Sequence, residues 1–358
     1  MLALHTAPSH SHAARPQDLG LEWLPLVTLY LSERCNSRCV TCDYWRHGRI
    51  DADLRSIERL LPSLARLRTQ AALLSGGEPL LHRHWADIAL ALRDHGLGVW
   101  LLTSGLSLVK HAPRAAKLFD QITVSLDGTT PPSYAAIRGV AAFDRVCQGI
   151  RAAAGAGAAV TLRVTLQRAN FRELPRFVDL AGELGARGVS FLAVDSAHAS
   201  AFGRMGAPPA QLAPRAEELP ELEHLLDELE CTHAAAFRSG FIAESPQKLR
   251  RIGQYFAAVH GLRPYPPVHC NAPEFSAVVT ASGRLQPCFF IEGPRGASVG
   301  EDLGRALDEP AQRALRAAIR AGERPECRTC VCSMWRDLSA QSARAGLLPQ
   351  LLRTGAGP

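Results

Sequence analysis

Six times between residues 24 and 194 a short apolar run gives way to a longer helical pattern, and no other feature narrows the fold as much. The runs are LVTLYLS (26–32), AALLSGG (71–77), GVWLLTSG (98–105), QITVSLDG (121–128), AVTLRVTLQ (159–167) and GVSFLAV (188–194). Between them lie patterns such as ADLRSIERLLPSLARLR and FRELPRFVDLAGELGA, with apolar residues at helical spacing. Strand–helix alternation predicts parallel strands joined by right-handed crossovers. Six units are too few to close an eight-stranded barrel. The expected fold is α/β: an open partial (βα)6 TIM-like barrel over 24–195, preceded by a flexible tail at 1–23.

Beyond residue 195 the pattern changes. APPAQLAP is rich in breakers, while ELPELEHLLDELECTHAAAF and SPQKLRRIGQYFAAVH read as helices, so 196–268 is expected to be a helical linker. EFSAVVTASGRLQPCFF (274–290) reads as a hairpin turning at Ser282-Gly283. With EPAQRALRAAIRAG, CRTCVC and a last helix it forms a small C-terminal hairpin/helix domain at 269–358.

Composition removes several functional classes. Net charge is +6, but the basic residues are interleaved with acids and form no block of five, so no nucleic-acid partner is expected. No apolar run reaches the length of a membrane span, and the N-terminus lacks the apolar segment of a secretory signal. His5, His10 and His12 lie in a Pro/Ser/Ala tail that reads as disordered. A cytoplasmic location follows, and there ten cysteines point to metal or redox chemistry rather than disulfides.

Three of those cysteines, Cys35, Cys39 and Cys42, form a C-x3-C-x2-C array directly after the first strand. A 4Fe–4S cluster takes four thiolates, so three leave one iron open to a further ligand. Zinc with a distant fourth ligand is the alternative. At the end of the second strand stands SGGEP (75–79), where two glycines permit close backbone approach and Glu78 could accept a hydrogen bond from a cationic amine. Further strand ends carry Thr103, Ser104, Ser125, Asp127, Asp195 and Ser196, and Arg163, Thr165 and Gln167 share one face of the fifth strand. In the C-terminal part lie Cys270, Cys288, Cys327, Cys330 and Cys332, where a zinc ribbon is again the alternative to iron–sulfur. Cys147 and Cys231, in helical patterns without cysteine neighbours, read as ordinary apolar side chains.

The cysteine loop after the first strand and the GGEP after the second resemble the radical S-adenosylmethionine (SAM) superfamily over about residues 24–195. One departure is Thr41, where many members carry an aromatic residue before the third cysteine. The resemblance implies that Cys35, Cys39 and Cys42 hold a catalytic 4Fe–4S cluster whose open iron binds S-adenosyl-L-methionine. It implies that Gly76, Gly77, Glu78 and Pro79 contact the SAM amine. Ser104 and Ser125, with Asp127, Arg138 and Arg163, would contact the SAM ribose and carboxylate. Cys270 and Cys288 around the hairpin, followed by the C-x2-C of Cys327 and Cys330, resemble the family's twitch and SPASM auxiliary-cluster domains. Five cysteines saturate one cubane and not two, so one auxiliary 4Fe–4S cluster is expected, with Cys332 a substitute for Cys330 or a bystander.

Such enzymes cleave SAM reductively to a 5′-deoxyadenosyl radical that takes a hydrogen atom from substrate, using an external donor of flavodoxin or ferredoxin type. With an auxiliary cluster the expected outcome is a two-electron oxidation. Asp195 and His198 are the expected catalytic base pair, and Glu274 and Glu292 are further candidates. The cysteine spacing is similar to that of twitch aminocyclitol dehydrogenases, and only about 24 residues precede the first strand, too few for a leader-binding domain. Both features favour a small-molecule substrate, with a peptide maturase as runner-up. A non-catalytic zinc or iron–sulfur protein and a sulfur-inserting enzyme are the remaining alternatives.

Overall fold

The computed structural model describes residues 21–336, so most of the N-terminal tail, its three histidines and the last expected helix lie outside the described residues. The six predicted strands form where expected: β1 (Leu26–Ser32), β2 (Ala71–Gly76), β3 (Gly98–Thr103), β4 (Gln121–Ser125), β5 (Val160–Leu166) and β6 (Gly188–Ala193). Neighbours in sequence are neighbours in the sheet, and all five of these pairings are parallel. The returning helices are α1 (Leu54–Arg66), α2 (Trp85–Asp94), α3 (Leu108–Leu118), α4 (Pro131–Arg138), α5 (Phe143–Gly155) and α6 (Leu174–Glu183).

Strand periodicity separates two environments. In β5, Val160, Leu162, Val164 and Leu166 are 0% exposed in the main core, whereas Thr161, Arg163 and Thr165 are half-buried on the opposite face. That second face lines the lumen of the open barrel, where Gln121 Nε2 donates to Thr161 Oγ1 at 3.4 Å across β4 and β5. The expected helical region appears as α7 (Leu219–Thr232) and α8 (Pro246–Val259), separated by a short helix at Ala234–Ser239. Ser245 caps α8 by accepting from Lys248 N at 3.2 Å. Among the described residues no helix is long and apolar enough to cross a membrane.

The hairpin forms as predicted, with β7 (Ser276–Val279) antiparallel to β8 (Leu285–Gln286), but it does not stand apart from the barrel. β7 runs parallel to β1 from Leu26↔Ser276 to Leu29↔Val279, giving an eight-stranded sheet in the order β6-β5-β4-β3-β2-β1-β7-β8. The reason is the edge of β1. All seven of its residues are buried, and an uncovered edge would leave buried amides without partners. Just before β7, Ala272 and Phe275 pack on Leu26, Ala71 and Trp100 at the floor of the lumen, with Cys270 and Met334 beside them. Asn271 ties the C-terminal segment down: its N–H donates to Met334 O at 2.9 Å and its Nδ2 to Arg336 O at 2.8 Å.

Phe275→Ala should cost about 3–5 kcal/mol in a urea melt, because the ring is wholly buried between the hairpin and the barrel floor. A loss below about 1 kcal/mol would show that the hairpin contributes little to the barrel's stability.

Candidate functional site

The stretch from Glu33 to Gly48 leaves the top of β1 with almost no regular structure, so its amides find partners elsewhere. Glu33 N donates to Ile50 O at 2.8 Å. From the end of β2, Gly77 N donates to Ser32 O at 2.6 Å and Glu78 N to Arg34 O at 2.8 Å. Gly76 has φ +118, and a Cβ on Gly77 would lie 2.4 Å from Arg34 O. The close approach permitted by the two glycines is thus to the cysteine loop itself, rather than to a ligand as the motif alone suggested. On the other side, Arg38 N donates to Arg138 O at 2.9 Å and Val40 N to Ile137 O at 3.0 Å. The last carbonyls of α4 are capped by the cysteine loop. Gly139, at φ +68, leaves room for Arg38 O, which a Cβ would meet at 2.2 Å.

Side chains extend this anchoring. Glu78 is 0% exposed; its carboxylate accepts from Thr103 Oγ1 at 2.8 and 3.0 Å, from Ser104 N at 2.7 Å and from Leu80 N at 3.0 Å. Three donor hydrogens, that of Thr103 shared between the two oxygens, take about three of the four acceptor positions of a carboxylate. Glu78 therefore joins the ends of β2 and β3 and keeps an acceptor position for a further donor. Pro79 opens the buried turn that follows. Ser104 Oγ donates to Asn36 Oδ1 at 3.1 Å, tying the loop to β3. Asp127 is 2% exposed and holds Thr165 N at 2.7 Å and Arg138 Nη1 at 3.1 Å. The Arg138 Nε is buried without a hydrogen-bond partner. Burial opposes its charge, but Cys39, Asp127 and Cys35 around it stabilise the cation. Ser125 and Arg163 are register partners on the lumen face of β4 and β5.

Cys35, Cys39 and Cys42 come together, and burial pushes their thiols up, Cys35 to about 11 and Cys42 to about 12, with Cys39 adding to the shift of both and Cys35 to that of Cys42. The C-terminal cysteines Cys270, Cys288, Cys327, Cys330 and Cys332 line one cavity. Burial again raises Cys288 to about 12 and Cys327 to about 11. Two aromatic bridges connect the groups. Tyr30 stacks on Phe289 at 6.4 Å and meets Tyr44 edge-on at 6.0 Å. Phe202, with φ 57, turns its carbonyl to Cys42 Sγ (3.2 Å) and Asp43 N (3.1 Å) and its ring edge to Phe290 at 5.4 Å. A bulky residue in the left-handed region is strained and is held there by its neighbours.

Residues 29–181 match the family model described as the radical SAM superfamily. That stretch of the chain carries the superfamily's domain. Mycofactocin maturase MftC of Mycobacterium tuberculosis (strain CDC 1551 / Oshkosh) is 29% identical over 174 residues, 47% of this chain and 44% of that protein. Molybdenum cofactor biosynthesis protein 1 of Bos taurus is 29% identical over 307 residues, 82% of this chain and 46% of that protein. The chain spans less than half the length of these curated relatives. Among solved structures, Streptococcus suis SuiB bound to S-adenosylmethionine matches with TM-score 0.62 at 14% identity, covering 88% of this chain and 73% of that one. The anSMEcpe structure with bound AdoMet and Kp18Cys peptide matches with TM-score 0.59 at 14% identity, covering 92% and 98%. These likenesses show the same partial-barrel fold.

Radical SAM proteins use SAM and a 4Fe–4S cluster, and the first cysteine group fits them on its own geometry. Cys39 is buried, Cys35 and Cys42 are half-buried, and the three thiols lie close to one another. Three clustered thiols leave one iron of a cubane without a protein thiolate, the position open to a further ligand. The unpartnered Arg138 Nε beside them is a donor left for an anionic group.

The expected base pair is corrected by its surroundings. Asp195 Oδ1 accepts from His198 Nδ1 at 2.7 Å, Asp195 Oδ2 is bonded by Arg204 Nη2, and Arg204 Nη1 donates to Asp195 O at 3.1 Å. His198 Nε2 lies 2.7 Å from Glu326 O. With an acceptor at each ring nitrogen the imidazole donates twice and has no lone pair with which to take a proton. Burial disfavours its charge, but the Asp195 hydrogen bond and charge, aided by Glu326 O, outweigh this and raise the His198 pKa. For Asp195 burial acts upward, and the bonds and charges of His198 and Arg204 win and lower it. The pair is a strut from the end of β6 to the residue before Cys327. Sequence reasoning missed Arg204 and Phe202, which sit in an irregular stretch without a pattern. Asn36, inside the C-x3-C spacing, was open to notice.

Two outcomes are expected. Gly77→Ala should cost about 1–3 kcal/mol in urea and lower iron uptake, because the added methyl strikes backbone oxygens of the cysteine loop; unchanged iron per chain would show that the loop tolerates displacement. The second concerns His198, whose raised folded-state pKa stabilises the fold fully below the unfolded value of about 6.5. Wild type should exceed His198→Asn in stability at pH 6, and the margin should shrink as pH rises through that raised pKa. A pH-independent margin would mean that the imidazole is not charged.

Proposed function

We propose that this chain is a radical SAM enzyme that oxidises its substrate by two electrons, with one auxiliary 4Fe–4S cluster. The observation that carries the reading is the cysteine loop, docked by backbone bonds on Gly77, Glu78 and the end of α4 and flanked by the unpartnered Arg138 Nε. Cys35, Cys39 and Cys42 would hold the catalytic cluster, and Arg138 would meet the SAM carboxylate. When bound, cluster and SAM together supply a 5′-deoxyadenosyl radical that takes a hydrogen atom from the substrate. Glu78 and Asp127 act by positioning: one fixes the loop against β2 and β3, the other orients Arg138. Ser104 and Ser125 remain the hydroxyls proposed for SAM. The buried walls of the lumen keep water from the reacting atoms.

Cys270, Cys288, Cys327 and Cys330 are proposed as the auxiliary ligands. Cys332 N donates to Cys330 Sγ at 3.3 Å, a bond that stabilises a ligating thiolate and favours Cys330 over Cys332. An auxiliary cluster there would be the electron acceptor that a two-electron oxidation needs. The proton acceptor is not the Asp195–His198 strut, and Glu274 is tied to Arg320 at 2.6 Å. Glu292, exposed and without an ion pair among the described residues, is the remaining candidate. A small molecule is the first reading of the substrate. A peptide is the second, favoured by the similar SuiB structure bound to precursor peptide SuiA and by the anSMEcpe structure bound to a peptide.

The test is iron and sulfide per chain after anaerobic reconstitution, with 5′-deoxyadenosine formed on reduction. About eight irons should fall to about four when Cys35, Cys39 and Cys42 become Ala, with loss of SAM cleavage. A colourless protein holding zinc would overturn the enzyme. About four irons falling to none would overturn the auxiliary cluster alone.

A further inference from the structure

β6 ends the sheet, and its outer edge is only half covered. Over the first half another segment stands in the place of a neighbouring strand. Val189 N donates to Phe241 O at 2.8 Å and Val189 O accepts from Ala243 N at 2.9 Å, a parallel bridge between Val189 and Ile242. Glu244 closes this cover. Its carboxylate accepts from Phe191 N at 2.8 Å and from Ser190 Oγ at 2.6 Å, and after Ser245 the chain turns away into α8. Bonding directions alternate along a strand, and Val194 N donates inward to Leu166 O of β5, so Val189, Phe191 and Ala193 present their polar groups outward. Among the described residues no hydrogen bond from outside the sheet reaches Phe191 O, Ala193 N or Ala193 O. These residues form one side of a cleft, whose other sides are Lys248, Arg251 and Tyr255 of α8 and Cys330, Val331 and Ser333.

An open strand edge is a template for a further strand. The cations of the cleft give that template a sign. Lys248 and Arg251 stand three residues apart on α8, both half-buried, and neither has an ion pair among the described residues. Arg251 gives an N–H to Pro267 O, which carries no charge. Unpaired edge groups beside unpaired cations fit an extended backbone with acidic side chains. We propose that the outer edge of β6 beyond Glu244 is a docking groove for an extended, acidic peptide segment of the substrate. The peptide lies along Ala193 as residues 241–243 lie along Val189. One of its carbonyls accepts from Ala193 N, and an amide two residues further donates to Ala193 O. Its carboxylates meet Lys248 and Arg251. Because Cys330 lines the same cleft, the bound segment runs beside a proposed auxiliary ligand. The inference rests on the radical SAM reading and takes the second of its two substrate classes.

Full-length reconstituted protein with saturating SAM should be titrated calorimetrically with short acetylated, amidated peptides at constant ionic strength. The probe alternates glutamate and valine. One control carries lysine for glutamate, and a second is the probe with every amide N-methylated, which removes its donors and blocks strand pairing. Wild type should bind the probe and neither control. Lys248→Met and Arg251→Met should each weaken binding by about tenfold or more. Ala193→Pro removes the edge amide at a position where a strand tolerates proline, and should weaken binding by a similar factor. Lys248 and Arg251 lie half-buried on a helix, so their variants keep the test valid if Ala193→Pro does not fold. No saturable binding of the probe to wild type overturns the groove. So does equal binding of either control, or undiminished binding by the folded variants. Reductive SAM cleavage by the same preparation, measured beside these titrations, separates failure of the groove from failure of the enzyme reading.

Discussion

The amides of the cysteine loop have to be satisfied somewhere, and the architecture of the site follows from where they go. A loop that carries three largely enclosed thiols cannot leave its backbone groups to water. On one side Gly77 N and Glu78 N donate to Ser32 O and Arg34 O, and on the other the C-terminal carbonyls of α4 accept from Arg38 N and Val40 N. The ends of β1 and β2 and the end of α4 are thereby fixed around the thiols before any ligand arrives. The glycines at 76, 77 and 139 are consequences of this docking, since a side chain would collide with the end of β1 at Gly76 and with loop backbone at Gly77 and Gly139.

Buried charge is managed by the same economy of position. Glu78, Asp127 and Asp195 are each 4% exposed or less; the first two join elements far apart in sequence, while Asp195 gathers the irregular stretch that follows β6. Glu78 holds β3, Asp127 holds β5 and Arg138, and Asp195 holds Arg204 and His198. A buried carboxylate is tolerated only when several donors surround it, so each one imposes a particular arrangement on its partners. This is why residues that a motif search takes for ligand contacts act first as fasteners.

The C-terminal cysteines are joined to the barrel at three levels. β7 pairs with β1, Phe275 fills the lumen floor, and His198 reaches the carbonyl before Cys327. The aromatic contacts of Tyr30 with Phe289 and of Phe202 with Phe290 run between the two cysteine groups themselves. The walls of the lumen are therefore tied together at both cysteine groups.

The six strands, the helices that return between them and the cysteine loop were legible in the amino-acid order, because alternation of apolar residues and the spacing of three thiols are local properties. The hairpin was legible as well, from its turn residues. Its place beside β1 was not, since four residues of strand do not say which edge they will cover. Nor could the sequence separate a base from a strut at Asp195 and His198; that depends on Arg204 and on Glu326, 128 residues away from the imidazole that it meets. The same holds for the two arginines of the lumen. Arg138 ends α4 and Arg163 lies in the middle of β5, and only the packing shows which of them a carboxylate holds: Asp127 bonds Arg138 beside the first cysteine group. Sequence determines which groups are available and on which face of an element they lie. Tertiary structure decides which of them are neutralised by one another and which remain for a ligand, because hydrogen bonds and ion pairs depend on distances across the fold.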